Sequence, residues 1–213
     1  MDMIFSVENQ YIEKIFDNKK PFEFRNNLPK EIRIGDTIYI YETYKNGGQK
    51  KVVGEVIVED FIDLRPNGET PMFGAWNFID YYMEHIEKDE EKAQLFKTAK
   101  EINLPNYKFG CLITYALSPL YMETIRNVKY PDYNHFYKED NKLVQEGDEC
   151  LRRCDDWLRD IGYYNWDDKS YWKYAIKIRP IKKYDIPADI KKFKDKNGNF
   201  IKKAPQSWMY TKN

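Results

Sequence analysis

The pattern of apolar and polar residues in the first third of the chain predicts short strands and one helix. Ile4–Val7 is an apolar run typical of a short strand, and "VENQYIEKIFDNKK" after it has apolar residues at helical spacing. Phe22–Phe24 indicates extended structure, followed by a turn at Gly35-Asp36. The segments "TIYIYET" and "KKVVGEVIVEDFI" are rich in β-branched and aromatic residues, which favours two strands joined by a loop at Asn46-Gly47-Gly48.

The middle of the chain has a different character. Trp76–Ile102 and Leu143–Ile161 are charged and favour helices, whereas periodicity leaves "FGCLITYALSPLYMETI" between them open to either helix or strand. A strand pattern returns in "YWKYAIKIRPI", and "KKFKDKNGNFIKK" predicts a hairpin around its Asn-Gly turn. The chain is therefore predicted to be one α+β domain, with a β-rich shell from 1–63 and 171–213 and a large, mostly helical insertion at about 74–170.

Charge follows the same division of the chain. The net charge is zero, but residues 171–213 carry twelve basic and three acidic side chains, whereas 54–170 carry fourteen basic and twenty-four acidic ones. Such asymmetry indicates either a polyanionic partner for the shell or attraction between the two parts of the chain. An acidic insertion can also act as a lid that repels long RNA, or can bind a protein partner. The aromatic residues available for such a partner are Trp76, Phe78, Tyr81 and Tyr82.

Several function classes receive no support from the sequence. No apolar run approaches the roughly 20 residues that cross a bilayer, and the first residues do not resemble a secretion signal. Three cysteines do not favour a disulfide framework, so we expect a cytoplasmic protein. Cys150 and Cys154 share a helical face, but His85 and His135 lie elsewhere, so neither a metal site nor a cofactor is expected.

Lys20, Glu23 and Arg25 are the main candidates for chemistry. In an extended segment Glu23 and Arg25 point to the same face, with Lys20 in the turn before them. The two cations can hold a phosphate or a carbonyl oxygen, and Glu23 can accept a proton or an amine hydrogen. The structural alternative is an ion pair that fixes the helix to the sheet.

The blocks that contain these residues resemble the ASCH domains of the PUA-like superfamily. "FSVENQYIEKIFDNKKPFEFR", "GDTIYIYET", "VVGEVIVEDFI", "YAIKIRPIKKYDIP" and "APQSWMY" occur in the family's order. The family signature G-x-K-x-x-E-x-R is matched by Lys20, Glu23 and Arg25, with Asn18 in place of the glycine. The resemblance implies a PUA-like β-barrel with a short helix after the first strand. It also implies a cleft where the signature, the second barrel strand and the C-terminal segment meet.

Family members are thought to bind RNA or to act on modified nucleosides, and a bacterial branch removes the acetyl group of N4-acetylcytidine. In that branch the signature lysine activates the reaction and a threonine stands where this chain has Glu23. The resemblance therefore implies an RNA- or nucleotide-binding protein, with a hydrolase acting on a modified nucleoside or on RNA as the alternative. In the hydrolase Lys20 and Glu23 are the catalytic groups. Protein interaction through the acidic insertion is a third reading.

Further candidates for the cleft offer hydroxyl, amide or aromatic groups. Trp208 can stack on a base or cap the core, and Tyr41 can line the cleft or pack. Exposed lysines of the predicted hairpin can bind phosphates without sequence preference, or be merely solvated. The cleft candidates besides the signature are Ser6, Tyr41, Thr43, Gln206, Ser207 and Trp208, and the phosphate-binding candidates are Lys191, Lys192, Lys194, Lys202 and Lys203.

Overall fold

The computed structural model describes residues 2–64, 72–91, 93, 153–154, 156–163 and 172–212. The chain divides into two compact units, of which the first comprises Met1–Gly74 and Ile161–Asn213 and the second Ala75–Asp160. Within the described residues no helix has both the length and the apolar character needed to cross a membrane.

The first unit is a six-stranded mixed sheet. Its elements in chain order are β1 (Asp2–Val7), α1 (Asn9–Phe16), β2 (Phe22–Arg25), β3 (Thr37–Glu42), a 3-10 turn (Lys45–Gly47), β4 (Val52–Asp63), β5 (Tyr174–Ala188), a second 3-10 turn (Ile190–Lys192) and β6 (Trp208–Thr211). The strands lie in the order β2-β5-β4-β3-β1-β6. The β1–β3 pair is parallel and the other pairs are antiparallel.

Strand β5 explains how this sheet curls. It is 15 residues long, extends well beyond the predicted "YWKYAIKIRPI", and pairs with both β4 and β2. Its register with β4 shifts three times, and at one shift Glu55 pairs with Lys182 while Val56 pairs with Pro180, so Ile181 is an extra residue. A bulge tolerates a proline that lacks an N–H and bends the strand that contains it.

The two faces of the sheet pack against different hydrophobic clusters. The inner cluster holds alternate residues of β1 and β3, such as Phe5 and Ile40, together with Ile12 and Ile15 of α1. The outer cluster holds the residues between them, such as Ile4 and Tyr41, and residues that follow β5. Alternation along β1 and β3 therefore directs their successive apolar side chains to the two clusters in turn.

Helix α1 packs closely against the sheet at Gly54, where the Phe16 ring contacts β4. A Cβ atom built on Gly54 would lie 2.5 Å from the Phe16 ring and 2.4 Å from the Lys182 carbonyl oxygen. Glycine is required here because the ring of α1 and the neighbouring strand leave no room for a side chain. This contact holds the C-terminal end of α1, from which the signature residues follow, against β4.

The described part of the second unit is mostly helical, but residues 86–89 are not helical and interrupt the helix predicted at Trp76–Ile102. Helix α2 spans Met72–His85, which places its start before the predicted Trp76, and residues 94–102 of that predicted helix lie outside the described residues. Of the helix predicted at Leu143–Ile161, residues 153–154 and 156–160 are described and are helical. The segment at 109–125, for which periodicity left helix and strand open, also lies outside the described residues.

Candidate functional site

The end of helix α1 determines where the signature residues lie. Asp17 caps the helix, and Asn18 after it has a φ of 57°, the left-handed conformation that commonly ends a helix. The amide nitrogens of Lys19 and Lys20 both donate to the Lys14 carbonyl, which turns the chain back toward the sheet. Glycine adopts this conformation most readily and asparagine is one of the few other residues that tolerates it. Asn18 therefore preserves the backbone that the signature glycine would provide.

Lys20 is buried, with 2% of its surface exposed. Its Nζ donates to the carbonyl oxygens of Phe22 at 2.6 Å and Ile161 at 2.7 Å, and lies 3.6 Å from Glu23 Oε2. The ammonium group also lies 5.0 Å from the centre of the Tyr11 ring and 4.7 Å from that of Phe24. Burial lowers the pKa of Lys20 from 10.5 to about 8, against the opposing effect of Glu23.

Glu23 joins Lys20 to Arg25. Its Oε1 accepts from Arg25 Nη2 at 2.8 Å, and both side chains are about nine-tenths buried. Glu23 pairs in the sheet with Ile176, a member of the inner cluster, so it points to the inner face. We call this set the Lys20–Glu23–Arg25 cluster; it contains two cations and one carboxylate.

Arg25 links the strand at one edge of the sheet to a strand near the other edge. It belongs to β2 at one edge, yet its Nη2 donates to the Ser6 carbonyl of β1 at 2.8 Å and its Nη1 to Ser207 Oγ at 3.2 Å. The guanidinium also lies 4.9 Å from the centre of the Phe5 ring. Because β6 pairs only with Asp2–Phe5, the Ser6 carbonyl lies beyond the end of that ladder and is available to Arg25. The curled sheet is thus bridged by a side chain between β2 and β1.

The C-terminal segment lies at the same end of the sheet. The Ser6 amide donates to the Ser207 carbonyl at 2.9 Å, and Ser6 Oγ donates to the Pro205 carbonyl at 2.6 Å. Gln206 and Ser207 are exposed, whereas Trp208 is half-buried, packs against the inner cluster and meets the Tyr210 ring edge-on at 5.4 Å. The structure therefore brings Ser6 and Ser207 to Arg25 and leaves Gln206 exposed beside them.

Tyr41 and Thr43 do not join this cluster. Tyr41 pairs with Ser6 in the β1–β3 ladder and packs in the outer cluster, on the opposite face from Glu23. Burial, and then the charge of Asp189, raise the pKa of the Tyr41 hydroxyl. Thr43 follows β3, and its amide donates to the Val7 carbonyl at 2.9 Å. Tyr41 is therefore a packed residue of the outer cluster.

Glu42 was missed by the sequence reasoning and lies on the inner face. It pairs with Val7 of the inner cluster and is 3% exposed, yet within the described chain its Oε2 has no hydrogen-bond partner. The Nε atom of Arg25 is also buried without a partner there. A usable signal existed, because Glu42 continues the alternation of Ile38 and Ile40 and so places a carboxylate at a core position.

The lysine-rich loop lies on the other face. An antiparallel bridge between Lys194 and Phe200 closes it, and buried Ile190, Phe193 and Ile201 anchor it to the outer cluster. Phe200 is 62% exposed and lies 5.5 Å from Lys194 Nζ, an aromatic surface that the sequence reasoning did not select. The five lysines proposed to bind phosphates, Lys191, Lys192, Lys194, Lys202 and Lys203, are all exposed.

Some of the aromatic residues of the second unit pack within that unit. Phe78 and Tyr82 are buried, and Tyr81 stacks on Trp157 at 6.2 Å; the side chain of Trp76 lies outside the described set. Burial and the neighbouring Glu87 raise the pKa of Tyr82 well above its usual value. Two of the four aromatic residues considered for a protein partner are thus occupied by packing. Cys154 is buried and reduced, and among the described residues no three ligand-type side chains converge on a point that could hold a metal.

Comparison with known proteins finds similar chains among solved structures. Neither the protein-family models nor the curated proteins contain a match. Among solved structures, two mutants of the ZmASCH protein from Zymomonas mobilis match this chain, one tyrosine-to-phenylalanine and one serine-to-alanine. The first is 13% identical with a TM-score of 0.38, covering 100% of this chain and 91% of that chain. The second is 14% identical with a TM-score of 0.40, covering 100% and 89%.

Proposed function

We propose that this protein binds RNA or a nucleotide at the Lys20–Glu23–Arg25 cluster. The observation that carries the proposal is the surplus of positive charge in a buried place. Lys20 and Arg25 share one carboxylate, and within the described residues neither forms an ion pair with another acid. A buried cation without a counter-charge is costly, so a purely structural ion pair would favour one cation for each carboxylate. A ligand whose oxygen atoms accept hydrogen bonds from Lys20 and Arg25, whether they are charged or neutral, would stabilise the two cations.

The surroundings of the cluster support a nucleic-acid ligand. Arg25 bonds to Ser207 on the exposed C-terminal segment, so the buried cluster is connected to a surface that offers Gln206 and the partly exposed Trp208. On the other face of the sheet, the lysine-rich loop offers a separate surface of exposed cations and the exposed ring of Phe200. Cations that follow a phosphate backbone and aromatic rings that stack on bases are the usual means of binding single strands. We further propose that the curled sheet is the PUA-like β-barrel that the sequence resemblance implies, closed by Arg25.

The test is a titration with labelled single-stranded RNA at about 50 mM and about 200 mM salt. Wild type should bind with an affinity that falls steeply with salt, because phosphate contacts release counterions. A Lys20→Ala/Arg25→Ala variant should lose binding, whereas Lys202→Gln/Lys203→Gln should lower the salt slope by about 2 and retain binding. Binding that survives the first change and disappears with the second would place the RNA on the loop instead.

A hydrolase is the second candidate, and the pKa of Lys20 favours it. With a pKa of about 8 a substantial fraction of Lys20 is neutral under mildly alkaline conditions, and it lies beside Glu23. Perturbed pKa values of this kind are common in active sites, although structural ion pairs also produce them. Hydrolysis of N4-acetylcytidine or of RNA that rises as pH passes about 8, and is lost in Lys20→Met, would identify Lys20 as a catalytic base or nucleophile. Absence of turnover across that pH range would leave binding as the function.

A further inference from the structure

One of the groups that hold Lys20 comes from a distant segment. Lys20 has three donor hydrogens, and two of its oxygen partners, Phe22 and Glu23, are neighbours in the sequence. The third is the Ile161 carbonyl at 2.7 Å, 141 residues away in the sequence. This carbonyl belongs to a turn rather than to a strand ladder, so it can be exchanged for another oxygen without breaking the sheet.

The residues after Ile161 also contact the surroundings of Lys20. We call Ile161–Tyr163 the cover. The Tyr163 ring packs on the Phe24 ring with 5.4 Å between centres, next to Lys20, whose ammonium lies 4.7 Å from the centre of Phe24. The cover thus presents a carbonyl oxygen to Lys20 and a flat ring to Phe24. A nucleobase with a ring carbonyl would present the same two groups.

Gly162 makes this arrangement possible. Its φ is +82°, and a Cβ atom built on it would lie 2.7 Å from Tyr11 Oη. Its carbonyl oxygen accepts from the Trp172 indole N–H at 3.2 Å. Any residue with a side chain at this position strains the backbone and also collides with Tyr11, so the closed position of the cover depends on glycine.

We propose that the cover is an internal substitute for the ligand: it occupies the site with the Ile161 carbonyl and the Tyr163 ring, and a carbonyl-bearing base of a single-stranded RNA displaces it. This proposal rests on the proposed function and specifies the ligand group that meets Lys20. A neutral carbonyl, rather than a phosphate, is the group for which the buried end of the site is formed. Uracil, cytosine and guanine carry such an oxygen, and adenine does not.

The experiment compares oligo(U) with oligo(A) of equal length, since both have the same phosphates. Gly162→Ala disfavours the closed cover and should raise the affinity for oligo(U) at least about fivefold, from the strain of a left-handed alanine alone. The affinity for oligo(A) should stay the same. Gly35→Ala is the matched control, because Gly35 has a φ of +90° but a Cβ there would meet nothing within 4 Å. Tyr163→Ala, which removes the ring on Phe24 without backbone strain, serves if Gly162→Ala does not fold.

A second measurement follows the cover directly. Hydrogen exchange of the Trp172 indole N–H should accelerate in Gly162→Ala and on addition of oligo(U) to wild type, because opening breaks its bond to Gly162. If wild type and both cover variants bind oligo(U) and oligo(A) equally, the cover proposal is wrong while RNA binding stands. The same holds if the indole exchange rate is unchanged in Gly162→Ala and in wild type with oligo(U). If neither oligomer binds wild type or the cover variants at low salt, the proposed function is wrong, and so is the ligand role of Lys20.

Discussion

Replacing Lys20 with methionine should change how stability depends on pH. The folded chain holds the Lys20 ammonium in a buried place, where its pKa is about 8, against 10.5 for an unperturbed lysine. Between these two values the unfolded chain binds more protons than the folded one, so the free energy of unfolding rises with pH. A shift of this size is equivalent to about 3 kcal/mol, absent below about pH 8 and complete above about pH 10.5. Lys20→Met has no such titration and should not show the rise.

The measurement is urea unfolding of wild type and variant at a series of pH values across this window. The difference in unfolding free energy, wild type minus Lys20→Met, should increase by about 3 kcal/mol from the lower to the upper limit. Lys19→Met is the matched control, because Lys19 is the neighbouring residue and 69% of its side chain is exposed. A difference that stays flat across the window for Lys20→Met, as for the control, would refute the reasoning that burial suppresses the charge of Lys20.

Substitutions at Asn18, Glu42 and Gly54 test the structure around the cluster. Asn18→Gly should leave thermal stability nearly unchanged, whereas Asn18→Val should cost about 1–2 kcal/mol because of the left-handed φ of 57°; equal effects would contradict the capping role. Glu42→Met should raise the free energy of unfolding by about 1–3 kcal/mol, since it removes a buried carboxylate with an unpartnered oxygen, and a loss in urea unfolding would oppose this. Gly54→Ala should lower it by about 1–3 kcal/mol through collision with the Lys182 carbonyl and the Phe16 ring, and Gly54→Ala combined with Phe16→Leu should recover only the part of that loss due to Phe16.

The first strands and helix α1 could be predicted from the sequence because they are determined by the spacing of neighbouring residues. Alternating apolar residues predict β3, and helical spacing of Ile12 and Ile15 predicts α1. The end of β5 was not predictable in this way. Its extension to Ala188 and its bulge at Ile181 depend on pairing with β4, more than a hundred residues earlier in the chain.

The candidate site shows the same division. The spacing of Lys20, Glu23 and Arg25 brings them together because a capped helix end and a two-residue strand repeat operate over a few residues. Glu42 was open to the same reasoning, as a carboxylate in an apolar series, but was not selected. Tyr41 was left undecided between cleft and core, since a strand pattern defines two faces without saying which one meets a given partner.

By itself the sequence determined the elements whose hydrogen bonds and side-chain repeats are short-range, and the set of charges that the first strands present together. Only the tertiary structure decided what surrounds those charges. The Ser6 carbonyl and Ser207 hydroxyl at Arg25, and the Ile161 carbonyl at Lys20, are backbone or small polar groups brought from far along the chain. A carbonyl is present in every residue, so no side-chain pattern marks the one that will be used; packing of distant segments selects it.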